Sequence, residues 1–513
     1  MDFGCEFICA SIFTAFCIIF AFVYRYVCKN YTYFDKLELS GPVPSFLIGT
    51  WKEAPEKFLG DADIENTKIF GKLYGTFDGM TPNLMVVEPK IVKQILLTYK
   101  DRFADRKVAR PRNPILKKSL SFLYGEESQE VQALTNSLLT ESKIKKLLPR
   151  LESTAKTLVR NILKRSEEGA SFNVLPLVNE YIHDVIAFTI FGIDLNSDVT
   201  IKDEFVGYCD QVFSTKNPNS KLALVPIVFE NLEGDSWIFP QRALDYFVNL
   251  ITTTIKQAPR DPVFTEGKAA NLIELMIEAS EEEKKLVKGD KEDSSDGIVL
   301  TEEVITAKCI SAILALINYT KSIVLLTLHS LANETEAQDE LSSEVKKHNT
   351  ENISMTDLQN LQVLDMIIAE VLRFYPPEFR LEKECKEPVT IEKLSFERGS
   401  RVSIPLFALH RHPDHYPEPE KFDLRRFSQE AIENRDPFTY LPFGQAGVNS
   451  YSISVQLALL TSKITLFKLV ETFKFKPQDS NKKAVFKKGL TGVPKLHALN
   501  LSTELYCFRA VSI

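Results

Sequence analysis

Between Thr301 and Asn333 the chain runs without a glycine or a proline. Apolar residues dominate the stretch, and Thr301 followed by Glu302 and Glu303 makes a suitable helix N-terminus. A helix of that length spans roughly 45 Å. Such a rod crosses a whole domain, so it demands a large, single, mainly helical body around it. Helical periodicity also dominates the sequence from residue 90 to residue 375. The charged stretch EEEKKLVKGDKEDSSDG (281–297) interrupts it and reads as a loop-like, solvated excursion.

The N-terminus follows a different rule. FICASIFTAFCIIFAFVY, from Phe7 to Tyr24, carries no charge and is just long enough to cross a bilayer as a helix. A secretory signal peptide has a basic start, a shorter apolar run and a small-residue cleavage site. Here Asp2 and Glu6 precede the run, while Arg25, Lys29 and Lys36 follow it. Positive charge on the C-terminal side predicts a lumenal N-terminus and a cytoplasmic body. The domain reading is an anchor over 1–29, a linker over 30–50 stiffened by Pro42 and Pro44, and a body over 51–513.

A formal net charge of -7 with no basic stripe excludes a nucleic-acid partner. Cys5, Cys9, Cys17 and Cys28 lie in or beside the apolar run, and Cys209, Cys309, Cys385 and Cys507 are far apart without C-x-x-C spacing. That pattern fits a reducing compartment and gives no disulfide framework. No cysteine stands between Cys385 and Cys507.

LYGTFDGMTPNLMVVEP predicts a hairpin with Leu84, Val86 and Val87 in its second strand. LALVPIVFENL (222–232), with Trp237 nearby, suits either the core or the membrane surface. In LDMIIAEVLRFYPP, Glu370 and Arg373 share one helix face, and Pro376 and Pro377 stop the helix. Later, in LPFGQAGVNSYSISVQLALL, Phe443 and Gly444 open a turn. The helix after it carries Ile453, Leu457, Leu460, Ile464 and Phe467 as one apolar stripe.

In their order and spacing, the anchor, proline hinge, hairpin, long helix, EVLR, PEKFDLRRF and PFG resemble the cytochrome P-450 superfamily, the haem-thiolate monooxygenases. The resemblance covers essentially the whole chain. DRFADRK, FTIFGIDLNS and ALHRHPDHYPEPEKFD point to insect microsomal members. It implies a mainly α fold, a large helical domain with small peripheral β-sheets, behind one N-terminal transmembrane helix. It implies a haem cofactor, NADPH-supported monooxygenation of small lipophilic molecules, electrons from a membrane reductase, and an endoplasmic reticulum location. The family's E-x-x-R pair and later arginine match Glu370, Arg373 and Arg426, with Leu424 in place of the usual proline.

The positions that the resemblance assigns to chemistry depart from the family. Aligned from Phe443 on F-x-x-G-x-R-x-C-x-G, the chain has Ala446, Val448, Ser450 and Ser452 for the glycine, arginine, axial cysteine and last glycine. A serine hydroxyl stays protonated near neutral pH and is a far poorer iron donor than a thiolate. The early W-x-x-x-R that clamps the haem propionates is matched by Ser128 and Gln132, and the arginine after YPP by Lys383. Lysine meets a carboxylate as a point charge where arginine makes a bidentate pair. The oxygen-activating [AG]-G-x-[DE]-T reads Ala315, Leu316, Ile317, Asn318, Tyr319. Asn318 cannot ionise, and Tyr319 has an ordinary pKa near 10.

The expected product is a pseudoenzyme, haem-free or weakly haem-binding, that holds a lipophilic ligand or a partner at the membrane. The alternative is an atypical but active haem monooxygenase with a non-cysteine axial ligand. A one-residue insertion, taking Gly447 as the motif glycine, brings Tyr451 to that place. His410, His412 and His415 in HRHPDH raise a metal site, which Pro413 argues against by interrupting any helical ligand face. Cys309, His183 and His329 read as packed core residues.

Overall fold

Thr301 caps the central helix, its hydroxyl accepting from the Val304 N–H at 3.3 Å. The helix then runs from Glu302 to Asn333, interrupted only by a π turn over Leu316–Thr320. Its apolar window is 72% buried. The computed structural model describes residues 3–50, 58–105, 115, 145–167, 172–196, 199–213, 240–258, 271–290, 301–348, 353–444, 452–477 and 500–505.

The central helix is sheathed by other helices. Those spanning Gln241–Gln257, Leu272–Asp290 and Ile453–Thr472 pack on its first half, and Gln362–Phe374 packs on its second. Leu148–Ser166 completes the bundle on Ile453–Thr472, and Leu175–Ile186 packs on Leu148–Ser166 and on the second half of the central helix. Their shared apolar faces form one core cluster, from Leu151 and Val185 through Ile313 and Leu328 to Phe467. Helix periodicity puts those residues on inward faces, and burial of each large aliphatic side chain contributes about 1.5–3 kcal/mol.

Among the described residues, ten strands lie at the periphery. β1 (Leu73–Asp78) and β2 (Thr81–Val86) form the expected hairpin, turning at Gly79 with φ +60°. β3 (Phe103–Asp105) is followed by the short β4 (Phe172–Asn173). β5 (Arg380–Cys385), β6 (Val389–Ile391), β7 (Leu394–Phe396) and β8 (Arg401–Pro405) come after the Glu370 helix. β9 (Phe473–Pro477) and β10 (Asn500–Leu505) are the last. The largest sheet has the order β1-β2-β8-β5-β3, with three-stranded and two-stranded sheets beside it. The expectation of a mainly helical body with small peripheral sheets holds.

At the N-terminus one helix, α1, covers Phe3–Tyr31. The apolar window of the span Ser11–Leu37 is only 6% buried. Phe13, Phe16, Ile19 and Phe22 stand exposed on it. Among the described residues, the other two helices apolar enough to cross a membrane are the central one and Ile453–Thr472, which lie in the core. Residues after α1 dock on the hairpin. The Gly75 N–H donates to Ser40 O at 2.9 Å, and the Phe34 and Phe77 rings meet edge-on at 5.3 Å. A Cβ at Gly75 would stand 2.2 Å from the Phe34 ring, so only glycine permits this approach.

The excursion expected over 281–297 is not all loop. The helix beginning at Leu272 continues to Asp290. Glutamate and lysine are good helix formers, and Glu281 and Lys285 stand four apart, so a charged stretch can extend a helix as readily as leave it. Residues 291–297, like 222–232 and Trp237, lie outside the described residues.

Gly75→Ala is expected to lower stability by about 1–3 kcal/mol through overpacking against Phe34, without altering the helical core. Chemical denaturation of the full chain measures it. An unchanged midpoint would mean that the segment after α1 does not rest on the hairpin.

Candidate functional site

The helix Gln362–Phe374 turns Glu370 and Arg373 inward, and both are 0% exposed. Arg373 grips the carboxylate with two bonds, Nε to Oε2 at 2.7 Å and Nη2 to Oε1 at 2.9 Å. The Asp423 N–H adds a bond to Glu370 Oε1 at 2.9 Å, and Arg426 Nε lies 3.7 Å from the same oxygen. Arg426 is held by carbonyls, its Nη2 donating to Pro417 O at 2.6 Å and Glu418 O at 3.1 Å. The guanidinium of Arg373 also sits over the Phe374 ring at 4.2 Å. Burial pushes the Glu370 carboxyl above its ordinary range, opposed chiefly by Arg373. The structure thus brings Glu370, Arg373 and Arg426 together in the interior, although an i,i+3 pair is most often a solvated surface feature.

From this cluster a chain of bonds runs to the loop after it. Arg373 Nη1 donates to His410 O at 3.0 Å, and His410 Nε2 accepts from the Leu441 N–H at 2.9 Å. Because Nε2 accepts, the neutral ring carries its proton on Nδ1. Burial, with Arg373, Arg411 and Arg435 nearby, holds the His410 pKa well below its ordinary value. Tyr440 Oη donates to Ala369 O at 3.0 Å. The Gly444 N–H then closes a turn on Leu441 O at 3.1 Å. Gly444 has φ +78°, and a Cβ there would meet Leu381 Cδ2 at 3.0 Å. The turn expected at Phe443 and Gly444 is therefore fixed from both sides. His410 bears on the loop as a hydrogen-bond acceptor, a role that HRHPDH did not suggest.

The π turn of the central helix lies opposite this loop. Leu316 and Ile317 are buried, while Asn318 and Tyr319 are half-buried. Tyr319 Oη donates to Glu378 Oε1 at 3.0 Å, and its ring meets Phe443 edge-on at 5.4 Å between centroids. One residue on, Thr320 Oγ1 donates to Ala458 O at 3.3 Å. Burial, then the charge of Glu378, raises the Tyr319 phenol well above its ordinary pKa. It remains a neutral donor, and Asn318 cannot ionise. Glu378 had no signal in the sequence, since it lies 59 residues from Tyr319.

Lys383 is half-buried on β5, paired in register with Val402 and Asp105. Ser128, Gln132, Val448 and Ser450, together with Tyr451, lie outside the described residues. Among the described residues no cluster of three or more histidine, cysteine or acidic side chains could hold a metal ion.

The family model described as Cytochrome P450 matches residues 39–501. The chain is similar to cytochrome P450 3A16 of Mus musculus, 31% identical over 469 residues that make up 90% of each chain. It is also similar to cytochrome P450 3A9 of Rattus norvegicus, 31% identical over 89% of each chain. Cytochrome P450 3A17 of Cavia porcellus is 29% identical over 88% of each. These relatives are mammalian 3A proteins and not insect microsomal ones, which corrects the affinity read from DRFADRK, FTIFGIDLNS and ALHRHPDHYPEPEKFD. Those stretches supply scaffold residues: buried Phe103, buried Phe191 before Gly192 at φ +73°, and buried His410. Packing and backbone dictate residue types at such places, so they mark the fold and not a lineage.

His410 gives a pH prediction. Its folded pKa lies well below the unfolded value, so the unfolded chain binds the proton first as pH falls through about 6.5. Stability is full above that value and declines below it. In thermal unfolding between pH 7.5 and 5.5, His410→Gln is expected to lose less stability with acidification than the parent. Equal slopes would remove His410 from the acid sensitivity.

Proposed function

The chain belongs to the cytochrome P450 family, and from that premise we propose that it is a member that keeps the scaffold but has lost haem-thiolate oxygen activation. The family activity is monooxygenation with haem. In this reading the chain instead binds a small lipophilic ligand or a partner at the endoplasmic reticulum membrane. Residues 1–29 anchor it by a single span, 30–50 link, and the body 51–513 faces the cytoplasm. A reductase partner belongs only to an active member.

Tyr319 carries the proposal. The family pattern puts the proton relay at Asn318 and Tyr319, and here Tyr319 is committed to Glu378 and Phe443. Its ring meets Phe443 of the loop that would lie beneath haem, and its phenol bonds Glu378 just before β5. A macrocycle between helix and loop has to displace the ring contact, so haem fits the described residues poorly. Sequence adds Ser450 and Val448 at the axial and cationic loop positions, and Ser128, Gln132 and Lys383 at the propionate clamp. Two propionates left without arginine partners disfavour retention, because burying unpaired charge costs several kcal/mol. Glu370, Arg373 and Arg426 act in this reading as the structural triad alone.

Haem content and the reduced carbon-monoxide difference spectrum of the purified full chain test it. The expected result is substoichiometric haem and no thiolate-type band, with Ser450→Cys alone restoring no turnover because the relay and clamp are still missing. Stoichiometric haem with a thiolate-type band in the parent would sink the proposal.

A further inference from the structure

Buried charge in this protein is paired, with one exception among the described residues. Asp63 is bound by Arg380, Glu370 by Arg373 at 2.7 Å, and Glu152 by Lys468 at 3.1 Å. Asp78 has Arg401 at 4.0 Å and an Asn83 amide bond at 3.3 Å. Lys308 is the exception. It lies about two turns into the central helix, is 1% exposed, and its ammonium has no hydrogen-bond partner.

The helices packed on this part of the central helix contribute Phe247, Ile251, Met276 and Leu457 to one apolar cluster, and Ile305 lies one turn before Lys308 on its own helix. Ser311, one turn after it, gives its hydroxyl to Ala307 O at 3.0 Å. Burial is the only cause acting on the Lys308 pKa, which it pushes down to about 8. The amine is still mostly protonated at neutral pH. Three N–H donors and a positive charge therefore stand in a largely apolar interior without a hydrogen-bond partner among the described residues. Replacing them by a methyl group would relieve the desolvation cost, so the scaffold does not need the charge.

We propose that Lys308 anchors an anionic, amphipathic ligand: a lipophilic carboxylate whose head group completes the hydrogen bonding of the ammonium while its hydrocarbon part packs in the apolar interior. The proposal rests on the lipophilic-ligand reading above and narrows it to one chemical class. No bond is made or broken; the recognition is a charge-assisted hydrogen bond inside low-dielectric surroundings.

A dansylated undecanoic acid and its methyl ester, titrated against the full chain in lipid nanodiscs, test it. Lys308→Met keeps the side-chain length and removes the charge. The parent is expected to bind the acid about tenfold more tightly than the ester, and in Lys308→Met the ratio falls to about one with ester binding retained. Thermal unfolding supplies a second readout: the variant is expected to be at least as stable as the parent without ligand, and the acid raises the midpoint of the parent alone. Acid and ester binding alike to the parent would overturn the anchor and leave the lipophilic-ligand reading standing. Binding of neither would overturn both.

Discussion

The bidentate pair between Glu370 and Arg373 is the constraint on which the rest of this structure hangs. Both side chains are withdrawn from water, and the desolvation of each ion is repaid only if every donor and acceptor finds a partner. Glu370 spends its two oxygens on Arg373 and the Asp423 N–H, and Arg373 spends a further donor on the His410 carbonyl. A shift of any of these segments would strand a charge in the core. Three stretches far apart in sequence are thereby forced to one place. The pair adds little net stability beyond an apolar substitute; what it fixes is position.

That fixing extends to the loop at Leu441–Gly444 without passing through any haem contact. His410 takes the Leu441 N–H on its ring and gives its carbonyl to Arg373, and Tyr440 closes on Ala369. Leu381 and the positive φ of Gly444 set the turn that follows. The Glu370 cluster is thus satisfied by residues of the scaffold itself, the Asp423 N–H, the His410 carbonyl and the Arg426 guanidinium. Tyr319 adds a second link, because its ring meets Phe443 of the loop and its phenol bonds Glu378 just before β5, contacts that a smaller residue would not make.

What could be read from sequence was local or periodic. The central helix announced itself by the absence of breakers and by Thr301, the hairpin by the stretch ending in Leu84, Val86 and Val87, and the Glu370–Arg373 pair by its spacing. The π turn at Leu316–Thr320 has no periodic signature, since it is one widened turn inside a continuous apolar run. The partners of Tyr319 and His410 lie 59 and 31 residues away, and only the fold brings them close. The charged stretch after Leu272 misled because Glu and Lys serve a solvated loop and a solvated helix equally well. The insect affinity failed for a related reason: it was drawn from residues that packing prescribes throughout the fold.

Burial of charge divides into two kinds in this molecule. In the pairs Glu370–Arg373, Asp63–Arg380 and Glu152–Lys468 the protein supplies both members; the last two join segments distant in sequence, and the first holds the Asp423 and His410 segments through its further bonds. Such charges belong to the architecture, and their removal would be felt by the whole fold. Lys308 joins nothing among the described residues, so the same argument that makes the pairs structural makes it dispensable to structure. A charge that the fold neither satisfies nor uses raises the free energy of the unliganded state. That cost is recovered only by something that brings an acceptor into the apolar interior, which ties the electrostatics of the central helix to ligand binding and not to folding.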